Sequence, residues 1–193
     1  MGIINKKQKF FSKKIEVETF VLIDEIDNLD LIDKLIYNVR EGVETSKVSR
    51  KTNVTGEHTD FDYLTNNPHF HKFLRIIQPT IYKIYQNNFI VKEVWGNIYN
   101  NNDYAKPHSH DNSAFSGILY CTDGPGPGTY FEQYDLLISE KKGRFVLFQP
   151  NVVHEVKPYN YTKERITIAW NFSATKKWID YKNFRFLKQN GKN

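Results

Sequence analysis

The sequence predicts a mainly β fold with helices from its N-terminal half packed against it. Three observations carry this. From Phe89 onward, short alternating segments recur between Gly, Pro, Asn and Asp residues: IVKEVWGNIYN, FSGILYC, TYFEQY, RFVLFQP, HEVKPY and RITIAWNF. Many short strands separated by turn signals point to a sandwich or barrel. Before Phe89, two segments carry apolar residues at helical spacing. In RITIAWNF, Ile166, Ile168, Trp170 and Phe172 form one wholly apolar face. That face must be covered, most simply by those two helices.

In chain order, residues 1–14 read as a frayed basic lead. KIEVETFVLIDEI reads as a strand, with Phe20 and Leu22 alternating against Val21 and Ile23. Asn28 or Asp30 can cap a helix through LDLIDKLIYNVREG, whose apolar stripe is Leu31, Ile32, Leu35, Ile36 and Val39, with Gly42 closing it. Residues 43–66 are polar and dotted with Gly, Asn and Thr, and read as a long loop. HFHKFLRIIQPTIYKIYQNN is a second helix starting near Asn67-Pro68, which Pro79 kinks or splits. DGPGPG at 123–128 is a tight hairpin-type loop. The expected organisation is one domain over 1–193. Residues 1–88 buttress the sheet, 89–175 form the β core and 176–193 form a tail.

With 193 residues and 39% hydrophobic content, the chain can bury a real core and is not disordered. The formal net charge of +5 is mild, and its lysines concentrate at the two ends. They read as solvated termini before they read as a nucleic-acid surface. The single cysteine, Cys121, excludes an internal disulfide. No signal-peptide pattern and no membrane-length apolar run is present, so the expectation is a cytoplasmic protein with no membrane partner. Richness in Asn, Lys, Ile, Tyr and Phe suggests AT-rich codons and a bacterial, phage or viral source.

Chemistry concentrates in YNNNDYAKPHSH, from Tyr99 to His110, together with His154 and Arg165. In a strand, His108 and His110 project from the same face, as chelation requires. The alternative is a pair of surface histidines before a turn. Asp111 would then point to the opposite face, unless the strand ends there and turns its carboxylate inward. His154 lies among Val152, Val153 and Val156. It is either a core histidine or a third metal ligand. Arg165 shares a strand face with Thr167, Ala169 and Asn171. If that face borders a cavity, the guanidinium needs an anionic partner there, and its fork of donors suits a carboxylate. The alternative is an exposed strand end paired with Glu164 or Glu155.

The order of a tyrosine, H-x-H, a strand, GRFVLFQPNVVH and then R-x-T resembles the 2-oxoglutarate and iron(II)-dependent oxygenases, in particular their prolyl-hydroxylase-like branch. Tyr99, His108, Tyr120, Gly143, His154, Arg165 and Thr167 fall into that pattern, and HEVKP and RITIAWNF look like that branch in detail. The resemblance covers roughly residues 89–173. It implies a double-stranded β-helix, the jelly roll of cupin-like proteins. It also implies iron(II) held by His108, His110 and His154, and 2-oxoglutarate held at its distal carboxylate by Arg165. Thr167, Tyr120 and Tyr99 line the same co-substrate site. One slot departs from the pattern: the family's carboxylate ligand is replaced by His110. Sequences of bacterial and phage type also write H-x-H before an S-G strand, as HSHDNSAFSG does here.

The resulting expectation is an iron(II) dioxygenase that uses 2-oxoglutarate and O2 to hydroxylate a second substrate: polypeptide, nucleobase or small metabolite. The rival is a metal-binding, cupin-like jelly roll that does not use 2-oxoglutarate, either another oxygenase or a non-catalytic binding module.

Overall fold

A computed structural model describes residues 2–10, 15–46, 52–84, 89–110, 112–158 and 160–174. In chain order it comprises β1 (Gly2–Phe10), β2 (Ile15–Glu25), α1 (Leu29–Thr45), β3 (Glu57–His58), α2 (Pro68–Ile84), β4 (Phe89–Tyr99), β5 (Ala105–His108), β6 (Phe115–Tyr120), β7 (Pro127–Phe131), β8 (Leu136–Ser139), β9 (Arg144–Phe148), β10 (His154–Val156) and β11 (Arg165–Ala174). A seven-stranded sheet runs β1-β2-β9-β6-β11-β4-β3, and a four-stranded sheet runs β5-β10-β7-β8. The paired strands are antiparallel. This is the expected jelly roll.

The alternation in β2, β6, β9 and β11 divides the large sheet into two faces. One face carries Leu22, Leu119, Phe145, Leu147, Ile168 and Trp170, and packs with the buried stripes of both helices. Trp170 meets Phe70 at 5.6 Å and Phe73 at 5.5 Å between ring centroids. The apolar face of RITIAWNF is therefore covered by helices as expected. The other face carries Val21, Ile118, Tyr120, Val146 and Phe148 and packs on Phe131 and Ile138 of the small sheet.

The helices begin where their caps predict. The Asn28 side chain accepts from Leu31 N at 3.2 Å. Asn67 accepts from His69 N and Phe70 N at 2.9 and 3.1 Å, and Pro68 takes the first position, where no amide hydrogen is needed.

Five expectations are corrected. Residues 2–10 are not a frayed lead; they pair along their whole length with β2. Gly42 lies inside α1, which continues to Thr45. A Cβ there would fall 2.4 Å from the Tyr63 ring, so this glycine admits the 59–63 segment against the helix. Pro79 does not split α2. Phe73 and Ile77 before it and Ile81 after it are all buried in the helix–sheet core, which holds the helix across the missing hydrogen bond. Within 43–66 the chain forms β3 on the edge of β4 and a bridge from Val54 to Ala105. DGPGPG carries the chain from the large sheet to the small one and does not close a hairpin. The tail from residue 176 lies outside the described residues. Among the described residues, no helix is long and apolar enough to cross a membrane.

Candidate metal centre and co-substrate cavity

β5 and β10 pair so that His108 stands opposite His154. His110 lies two residues past the end of β5, and its amide donates to Pro150 O at 2.7 Å, in the turn that leads into β10. Three histidines from two chain segments thus converge. Ring centroids are 4.3 Å apart for His108 and His154, 5.2 Å for His108 and His110, and 5.1 Å for His110 and His154. One ligand nitrogen from each lies within 4.8 Å of the others, an arrangement that can hold a metal ion.

Backbone carbonyls set the tautomers. His108 Nδ1 lies 2.7 Å from Lys106 O, and His154 Nδ1 lies 3.2 Å from Val152 O. A carbonyl only accepts, so each Nδ1 carries the hydrogen and each Nε2 keeps its lone pair for a metal. Burial holds both imidazoles neutral. It lowers the His108 pKa, and it pushes His154 well below the usual histidine value, with further lowering from His108 and His110. Phe148 packs at 4.6 Å and Phe131 at 5.8 Å from the His154 ring, giving the cluster an apolar wall.

The cavity that holds the three histidines is also lined by Arg165 and Thr167. Arg165 is 1% exposed, which settles it as a buried group. Its suggested surface partners are engaged elsewhere, Glu164 with Arg40 and Glu155 with Lys157. Arg165 Nη1 donates to Pro127 O at 2.9 Å, and the guanidinium lies 4.2 Å over the Tyr99 ring. That stacking fixes the plane of the fork. Burial raises the Tyr99 hydroxyl to a pKa of about 12, against an opposing pull from Arg165, so the phenol stays protonated.

Strand register places these groups together. Arg165 pairs with Tyr99, and Thr167 pairs with Asn97 on one side and Tyr120 on the other. Directly paired residues share a sheet face, so all five lie on the cavity side. The Tyr120 hydroxyl donates to Thr129 Oγ1 at 2.7 Å and accepts from Thr129 N at 2.9 Å. Thr129, rather than Tyr120, reaches the cavity surface. Asp111, the other ligand candidate, lies outside the described residues.

Among the cavity-lining residues not singled out from the sequence are Trp95, Asn97 and Thr129. The signal for the first two was present. The alternation that makes Tyr99 face the site also turns Trp95 and Asn97 to it.

No family model and no curated protein matches the chain. Solved structures do. A viral collagen prolyl hydroxylase from Paramecium Bursaria Chlorella virus-1, in complex with 2-oxoglutarate, is 18% identical with a TM-score of 0.57, over 80% of this chain and 96% of its own. A Pseudomonas putida prolyl-4-hydroxylase is 16% identical with a TM-score of 0.57, over 80% and 92%. HygX from Streptomyces hygroscopicus, with nickel and 2-oxoglutarate bound, is 10% identical with a TM-score of 0.60, over 81% and 83%. The chain has the fold of the 2-oxoglutarate and iron(II)-dependent oxygenases. The three histidines are compatible with that fold's metal chemistry.

Proposed function

We propose that the chain is a non-haem iron(II) dioxygenase that couples oxidative decarboxylation of 2-oxoglutarate to hydroxylation of a second substrate. One observation carries this reading: a single cavity holds a cluster of three histidines at the four-stranded sheet and a buried arginine from β11 of the seven-stranded sheet. A metal-binding jelly roll alone has no need of the arginine.

The donor set fits the implied groups. His108, His110 and His154 would hold iron(II), with borderline imidazole nitrogens suited to it. Arg165, with Thr167 beside it, would hold the distal carboxylate of 2-oxoglutarate through charge-assisted hydrogen bonds. When bound, iron(II) and 2-oxoglutarate would supply the oxidising chemistry, reducing O2 as 2-oxoglutarate becomes succinate and carbon dioxide and leaving one oxygen atom for a substrate C–H bond. The protein's own tasks are simpler. The Lys106 and Val152 carbonyls orient two ligand rings. Phe131 and Phe148 give the His154 ring an apolar wall. Tyr99 and Pro127 O hold the guanidinium in place. The 2-oxoglutarate seen in the viral prolyl hydroxylase and in HygX supports the same co-substrate here.

One feature favours the rival reading, a metal-binding jelly roll that does not use 2-oxoglutarate. An all-imidazole site has one negative charge fewer than a two-histidine, one-carboxylate site. Two measurements separate the readings: anaerobic calorimetry of 2-oxoglutarate with metal-loaded protein, and succinate release with iron(II) and O2. Binding and succinate together support the dioxygenase. Stoichiometric metal without 2-oxoglutarate affinity would establish the rival.

A further inference from the structure

A second surface opens onto the same cavity, away from Arg165. β3 pairs with β4 so that His58 stands opposite Asn97, and Asn97 stands opposite Thr167 on β11. The row His58–Asn97–Thr167 therefore crosses the sheet on its cavity face. Trp95, two residues before Asn97, shares that face. Trp95 meets Phe61 edge-on at 5.2 Å, and Phe61 lies 5.5 Å from the His58 ring. Phe61 is 38% exposed and Trp95 is 8% exposed. The rings thus lead from solvent to the cavity wall, where Trp95 lies 6.3 Å from His110.

Asn97 is 3% exposed. Its Nδ2 donates to Thr167 Oγ1 at 3.3 Å, while its Oδ1 is buried with no hydrogen-bond partner among the described residues. A buried acceptor without a donor is rare in native proteins. This one lies in a cavity wall, where a bound donor can satisfy it. The segment that carries His58 and Phe61, TGEHTDFD, holds Glu57, Asp60 and Asp62 and no lysine or arginine, in a chain whose net charge is +5. Asp60 and Asp62 are exposed, whereas Glu57, opposite Ile98, falls on the helix-packed side of the sheet. Asp103 ties this segment down through Thr55 at 3.1 Å.

The geometry points to a primary-substrate site for a cationic group, an amine or guanidinium, seated against Phe61 and Trp95 and donating an N–H to Asn97 Oδ1. Aromatic faces attract a cation. A lone acceptor selects a donor. Asp60 and Asp62, flanking Phe61 in the chain, raise the local concentration of cations and repel the phosphates on which nucleic-acid binding depends. That the bound group is the substrate rests on the oxygenase reading. Its binding does not, and is measurable without turnover.

Zinc-loaded protein with 2-oxoglutarate is titrated with Nα-acetylarginine methylamide and with spermidine. Calorimetry and the indole N–H resonance of Trp95, assigned with a Trp95→Phe variant, follow binding. The neutral Nα-acetylglutamine methylamide, the anionic Nα-acetylglutamate methylamide and a single-stranded oligonucleotide serve as comparisons. Saturable binding of a cation that shifts the Trp95 resonance is expected, with the neutral and anionic probes silent. Phe61→Ala should weaken it about two- to thirtyfold. Asn97→Leu and the Asp60→Asn, Asp62→Asn pair should each weaken it too, with zinc stoichiometry unchanged. No saturable binding by either cation, equal binding of the neutral probe, preference for the oligonucleotide, or indifference to these variants overturns the proposal. Failure of the oxygenase reading would show separately, as metal binding without 2-oxoglutarate affinity or succinate.

Discussion

Replacing Arg165 with leucine tests the link between the buried cation and the co-substrate. Hydrogen bonds to a charged group contribute about 1.5–3 kcal/mol, so the variant should bind 2-oxoglutarate about ten- to a hundredfold more weakly while keeping its metal. The structure warns that a simple comparison mixes two effects. Arg165 also donates to Pro127 O and stacks on Tyr99. Leucine strands that carbonyl, at a cost of about 1–3 kcal/mol if it stays buried. The remedy is a cycle with 2-oxopentanoate, in which a methyl group replaces the distal carboxylate. Calorimetry on metal-loaded protein should show the native chain preferring 2-oxoglutarate by that factor and Arg165→Leu having lost the preference. Fold damage common to both ligands cancels in the ratio. Arg165→Lys should fall between, since it keeps the charge and loses the planar fork. If Arg165→Leu discriminates as well as the native chain, the arginine does not hold the carboxylate.

Three further outcomes are expected. His108→Ala and His154→Ala should each abolish iron(II) binding measured by elemental analysis, and full occupancy in the double variant would refute the site; His110→Asp should keep the metal and Asp111→Ala should leave it unchanged. Gly117→Ala should lower stability by about 1–3 kcal/mol in denaturant titration, because its Cβ would fall 2.1 Å from the Trp170 ring; an unchanged midpoint would show that the indole can yield. Cys121 is buried, and burial pushes its thiol far up, so a thiol reagent at neutral pH should react only as fast as the protein unfolds.

The β core was legible because its strands alternate cleanly and its turns are marked by Gly and Pro. What escaped has identifiable causes. β1 is rich in lysine, a composition that reads as a solvated tail and is equally what an edge strand carries to avoid pairing with other chains. β3 is two residues long, too short for any period to show. Gly42 and Pro79 look like breakers because local propensity disfavours them in helices. They stay inside helices because neighbouring residues pack across them, which is a tertiary fact. DGPGPG announces a turn, but nothing in it says that the next strand joins the other sheet.

The three histidines come together in space as their grouping in the sequence anticipated, but not for the reason strand alternation supplies. Alternation along one strand would place His108 and His110 on a common face, yet β5 ends at His108, so strand geometry does not orient His110. Its main chain is held instead by Pro150, in the turn before β10. The same turn region delivers His154, and the β5–β10 register sets His154 opposite His108. The position of His110 therefore depends on the PNVVH turn more than on its own strand. Beyond the strand end, the placement of His110 is set by this independent backbone contact. It also locates the sensitivity of the site. A change that shifts Pro150 should disturb His110 and His154 together and leave Arg165, anchored by Pro127 and Tyr99, in place.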